Sequence, residues 1–159
     1  MVSKTELQDQ LKAAMKEKDE VKTGALRMLL SSLSNKEKEK QFQAVKQNAE
    51  AGEVVLEEEE IQAVVATEVK KRKEAAEAFE KGGRAEAAAK EKEELEILQA
   101  FLPEQLSEEE IADIVKEAIA ETSASSMQDM GKVMAAAMGK LKGQADGAVV
   151  QNIVKTQLG

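Results

Sequence analysis

Apolar residues recur along this chain at three- and four-residue steps, and the spacing predicts α-helix almost throughout. Ser3 and Glu6 form a capping-box pair ahead of a first helix with Leu7, Leu11, Ala14 and Met15 on one face. Asp19 is placed to cap a second helix, whose apolar face is Val21, Ala25, Leu26, Leu29, Leu30 and Leu33. The short link predicts a tight antiparallel pair. From Asn35 to Val55 the pattern decays, and Lys36-Glu-Lys-Glu-Lys40 has no apolar face. A frayed helix end or a mobile loop, with partial order at best, is expected there, over residues 36–55. A third helix is expected from the Leu56–Glu60 region, where glutamates suit a helix N-terminus. Its stripe is Ile61, Val64, Val65, Val69, Ala76 and Phe79. Gly82-Gly83 ends it, and a fourth helix follows from Arg84 to Phe101. Glu68 with Arg72, Glu77 with Lys81 and Glu86 with Lys90 stand four residues apart in the favourable order, each worth about 0.2–0.5 kcal/mol.

Pro103 disfavours helix at Leu102 and sets a domain boundary, with an N-terminal helical domain over 1–102 and a three-helix domain over 103–159. Ser107 and Glu110 make a second capping box before Ile111, Ile114, Val115, Ala118 and Ile119. The polar turn Ser123–Ser126 separates this helix from the next, which carries Met130, Val133, Met134, Ala137, Met138 and Leu141. Asp146 is placed to cap the last helix, with Val149, Val150, Ile153, Val154 and Leu158. The expected fold is therefore all-α, about seven helices in two bundles.

Composition narrows the chemistry. The 159 residues include no Cys, His, Trp or Tyr. That excludes disulfides, thiolate nucleophiles, Cys or His metal sites and any His-based catalytic dyad. Three phenylalanines give no platform for stacking unpaired bases. A net charge of −8 argues against a general nucleic-acid coat protein. The longest apolar run, Val133–Met138, is too short to span a bilayer, and Met1–Glu6 shows no apolar signal region. The expectation is a soluble cytoplasmic protein with no catalytic residue, metal or cofactor of its own.

Local charge departs from the whole. Between Met127 and Gly159, Lys132, Lys140, Lys142 and Lys155 face only Asp129 and Asp146. Lys132, Lys140 and Lys142 are candidate phosphate contacts, and Gly131 and Gly143 are positions where a backbone could approach an anion closely. The ordinary alternatives are a solvated lysine face, tight packing at Gly131 and a helix C-cap at Gly143. The helical spacing of the methionines fits a core stripe, with an adaptable partner surface as the alternative. Lys70-Lys-Arg-Lys73 surrounds its helix, so at least one member must lie over the core. Arg27 and Arg84 are placed to bridge helices through carboxylates. The acidic runs Glu57–Glu60 and Glu108–Glu110 are explained by helix starts, because consecutive carboxylates diverge around a helix and do not converge on a cation.

Two segments carry more than composition. They are Phe101-Leu-Pro-Glu-Gln-Leu-Ser-Glu-Glu-Glu-Ile111, and Ala124-Ser-Ser-Met-Gln-Asp-Met-Gly-Lys-Val-Met134 followed by Lys142-Gly-Gln-Ala-Asp-Gly147. With Leu26-Arg-Met-Leu29, Glu68-Val-Lys-Lys-Arg72 and the stretch Phe79–Arg84, they closely resemble the YqeY family. The C-terminal part of that family is related to the tail domain of the B subunit of aspartyl/glutamyl-tRNA amidotransferase. The resemblance implies an N-terminal helical domain joined to a tail-like three-helix domain. It implies a noncatalytic tRNA-related binding module, with tRNA or a tRNA–enzyme complex as partner and no membrane. The alternatives are an accessory in glutamine-dependent carbon–nitrogen ligase (amidotransferase) activity and a helical protein–protein adaptor. The chain departs from the family pattern at Phe101, Ser123, Gln128, Gly139 and Gln144, where Tyr, Gly, Lys, Pro and a basic residue are common.

Overall fold

The computed structural model describes residues 2–46 and 54–159. Among them are seven α-helices and no strand: α1 Lys4–Glu17, α2 Glu20–Lys46, α3 Glu58–Lys81, α4 Ala85–Gln99, α5 Glu108–Thr122, α6 Met130–Leu141 and α7 Gly147–Leu158. The fold is all-α, as the periodicity predicts. Contacts between residues group the chain into two compact units, Met1–Phe101 and Leu102–Gly159.

In the first unit α1 packs on α2, α3 on α4, and α2 on both α3 and α4. Ser3 Oγ accepts from the Glu6 N–H at 3.2 Å and starts α1. Lys18, in a left-handed conformation, ends it. One residue later Asp19 Oδ1 accepts from the Lys22 N–H at 2.9 Å and starts α2. The core of this unit is Leu7, Ala14, Ala25, Leu26, Leu29 and Leu33 with Ile61, Val65, Ala76, Ala88 and Leu98. Met15, expected on the apolar stripe of α1, is instead half exposed.

Of the two forms expected after Asn35, helix end or loop, the described part of that segment takes the helix. α2 continues unbroken to Lys46, and residues 47–53 lie outside the described residues. Charge replaces the missing apolar face. Lys40 Nζ meets Glu60 Oε2 at 2.6 Å and the Val55 carbonyl at 3.3 Å, Lys4 pairs with Glu37, and Lys36 reaches Glu39 at 3.1 Å.

In the second unit α5, α6 and α7 pack against one another in all three pairings. Ile111, Val115, Ala118, Val133, Ala137, Leu141, Val150 and Val154 form one apolar core. The capping box at α5 is complete: the Ser107 N–H donates to Glu110 Oε2 at 2.9 Å, and the Glu110 N–H donates to Ser107 Oγ at 3.3 Å. Ser123 closes α5 with φ 52°. A single 3-10 turn, Met127–Asp129, leads into α6. Asp146 Oδ1 accepts from the Ala148 N–H at 2.7 Å and starts α7.

Candidate nucleic-acid interface

The methionine face of α6 is core. Met130, Met134 and Met138 pack against the second unit's apolar cluster, while Met127, in the turn before α6, is exposed. The lysines leave the helix in other directions, and their surroundings differ.

Lys132 is solvated, its side chain 75% exposed, with Nζ 3.8 Å from Asp129 Oδ1. Asp129 is itself engaged by the backbone. Its Oδ2 accepts from the Ser125 N–H at 3.2 Å and the Ser126 hydroxyl at 3.4 Å. The Ser125 N–H, with the Lys132 charge adding to it, holds the Asp129 carboxyl below its ordinary value.

Lys140 is not a free cation. Its Nζ donates to Glu121 Oε1 at 2.7 Å and to Glu117 Oε2 at 3.1 Å, two carboxylates one turn apart on α5. These bonds, Glu121 first, raise its pKa above the ordinary lysine value. Lys142 is exposed, and among the described residues it makes no ion pair. It is the left-handed C-cap of α6, with φ 42°.

The glycines separate as well. A Cβ built on Gly131 meets no atom within 4 Å, so tight packing does not explain it. It lies in the first turn of α6, where the cost of glycine is smaller than in a helix interior. Gly143 follows the left-handed Lys142 and is itself left-handed, with φ 81°. Two such residues in succession turn the chain sharply, and glycine removes the steric cost at one of them. Gly143 is thus the second left-handed residue of the turn, and the C-cap expected there is Lys142. The turn is sewn to the segment before α5. The Leu106 N–H donates to the Gln144 carbonyl at 2.9 Å, and Gln105 Nε2 donates to the Gly143 carbonyl at 3.0 Å.

In the first unit the basic run Lys70–Lys73 resolves as its geometry requires. Arg72 is the buried member. Its Nε lies 2.9 Å from Glu94 Oε2 and its Nη1 3.6 Å from Glu91 Oε2, both on α4. Its Nη2 donates to the Met28 sulfur of α2 at 3.0 Å. The expected Glu68–Arg72 pair is therefore replaced: Glu68 accepts from Lys71 at 2.8 Å and from the Ser32 hydroxyl at 3.0 Å. The expected pairs Glu77–Lys81 and Glu86–Lys90 are not among the ion pairs of the described residues; Glu80 pairs with Lys92 instead. Among the described residues Arg27 and Arg84 do not bridge to carboxylates. Arg84 sits over the Phe79 ring, 4.8 Å from its centre, and Arg27 Nη2 points to the Met15 sulfur at 3.8 Å.

A groove of about 460 Å³ between α2 and α3 is lined by Ser32, Asn35, Lys36, Val64, Thr67 and Glu68, among others. Its charges are spent internally, in the Lys36–Glu39, Lys40–Glu60 and Lys71–Glu68 pairs. Among the described residues no helix is long and apolar enough to cross a membrane.

These features define a class: an all-α protein of two small units whose ionic clusters mostly tie helices together, with Lys132 and Lys142 among its outward-facing lysines. The family follows from the sequence itself. Residues 4–158 match the YqeY family, described as Yqey-like protein, and the chain belongs to that family. No curated protein matches it.

Proposed function

We propose that this chain is a noncatalytic tRNA-related binding module in which α6 and the Lys142–Gly143 turn dock on an RNA backbone. The carrying observation is charge placement around the solvated Lys132 and the exposed Lys142. α5 is crowded with acidic side chains, whereas α6 and α7 carry only lysines among their charged residues. Membership of the YqeY family supports it through the resemblance of this segment to the amidotransferase tail.

Two outward-facing lysines give a weak, salt-sensitive interaction. At about 0.9 per neutralised phosphate, Lys132 and Lys142 together produce a log–log salt slope of roughly −1.8. The test is a titration of labelled tRNA against the protein at several salt concentrations. Lys132→Glu with Lys142→Glu should abolish binding. Binding unchanged by that double reversal refutes the interface.

A protein–protein adaptor is the second reading. It is favoured by the exposure of Met15 and Met28 on the first unit, since methionine surfaces adapt to varied partners. A pull-down that survives nuclease treatment and is lost in a Met15→Asp variant would select it over RNA docking.

A further inference from the structure

The chain has seven methionines and no cysteine, so any peroxide chemistry on its sulfur atoms falls on thioethers. One of them has an unusual neighbour. Met28 is 51% exposed, yet its sulfur accepts from Nη2 of Arg72, a residue only 9% exposed. A thioether is a weak acceptor. The other sides of the same guanidinium are also incompletely served. Among the described residues neither Arg72 Nε nor Glu91 Oε2 completes a well-angled hydrogen bond, although Glu94 and Glu91 surround the group. Arg72 is thus a buried cation with surplus donor capacity, and its poorest acceptor is the one that peroxide can alter.

We propose that Met28 is an oxidative modification site whose sulfoxide is held by Arg72. The step consumes one hydrogen peroxide. The sulfur lone pair attacks one peroxide oxygen, the O–O bond breaks, and the departing oxygen leaves as water after a proton shift through solvent. Sulfur is oxidised to the sulfoxide and peroxide is reduced. The S–O oxygen carries substantial negative charge and accepts hydrogen bonds far better than sulfur does. Placed beside Nη2, it makes a charge-assisted bond where a weak one stood. Oxidation usually adds a polar group that a packed surface rejects. Here the polar group arrives next to a donor fixed by α3 and flanked by α4. The contact ties α2 to that pair more firmly, and methionine sulfoxide reduction reverses it.

Met15 is the internal comparison. It is exposed to a similar degree, and Arg27 Nη2 lies 3.8 Å from its sulfur. Arg27 is on the surface, however, and among the described residues no carboxylate holds it, so a sulfoxide at Met15 gains no anchored donor.

The test exposes the full chain to graded hydrogen peroxide and maps the added oxygen atoms by peptide mass spectrometry. A Met15→Leu/Met127→Leu background removes the other half-exposed thioethers among the described residues. Met28 should be oxidised ahead of the partly buried Met130, Met134 and Met138. The thermal midpoint, followed by circular dichroism, should then hold or rise. Adding Met28→Leu should remove that response, and Met28→Gln, which places a fixed acceptor near Arg72, should keep the unoxidised midpoint at or above that of Met28→Leu. Oxidation of Met28 after the α6 methionines overturns the proposal. So does a midpoint that falls on Met28 oxidation and is protected by Met28→Leu.

Discussion

Replacing Arg72 by methionine isolates the ionic centre of the first unit. The side chains of Arg72 and Glu94 are each 10% exposed, and that of Glu91 is 20% exposed. Taking the cation away strands two largely buried carboxylates, and removing one partner of a buried pair costs about 3–5 kcal/mol. The lower end applies here, near 3 kcal/mol, because the Nε–Oε2 contact is poorly angled and Glu91 retains some solvent. At roughly 4–8 °C per kcal/mol for a unit of this size, the midpoint should fall by at least about 10 °C. Arg72→Met combined with Glu94→Leu should recover part of the loss, since the more buried carboxylate is gone while Glu91 still lacks its cation. Urea unfolding followed by far-ultraviolet circular dichroism measures both; a chain without Trp or Tyr offers no useful fluorescence. A single-variant cost below about 1 kcal/mol, the range of exposed pairs, refutes the buried-pair account. A double variant no more stable than the single one refutes it equally.

Three further outcomes are expected. Ser123, left-handed with φ 52°, should be stabilised on conversion to glycine by about 1 kcal/mol, read as a shift of the urea midpoint at constant slope. Glu117→Gln with Glu121→Gln should release Lys140 and steepen the salt slope of RNA binding by about 0.9; an unchanged slope means that Lys140 does not reach phosphate. The Ser107 backbone N–H first, and its hydroxyl second, hold the Glu110 carboxyl below the ordinary 4.5. A folded pKa below the unfolded one gives a contribution complete above 4.5 and lost as pH falls through the folded value. Carboxyl NMR should place the Glu110 midpoint below 4.5, with Ser107→Ala raising it only in part.

The sequence made most helices legible because α5, α6 and α7 begin or end at residues with a local signature. Ser107, Asp146 and the glycine after Lys142 act within a few residues of themselves. Side-chain pairing was less legible. Glu68 and Arg72 share the register of Ile61, Val65 and Ala76, which placed them on the buried face of α3. Their four-residue spacing suggested a mutual pair, yet Arg72 found Glu91 and Glu94 on α4, and Glu68 found Lys71 on its own helix and Ser32 on α2. The same holds at Lys140, whose position beside the methionine stripe was readable and whose grip by Glu117 and Glu121 was not. Pairing across helices depends on crossing geometry that local spacing does not encode. The continuation of α2 past Asn35 escaped for a related reason: it rests on ion pairs to Lys4 and Glu60 and a hydrogen bond to the Val55 carbonyl instead of an apolar stripe.

That second half of α2 has a consequence for motion. The helix has 27 residues and so runs about 40 Å, yet its buried positions end at Leu33. Apolar contact clamps the first half; electrostatic guy-lines hold the second. Salt weakens the lines and leaves the clamp untouched. Ionic strength therefore sets how far fraying runs back from Lys46. Amide exchange should show a step in protection near Ser34, one that sharpens as salt is added.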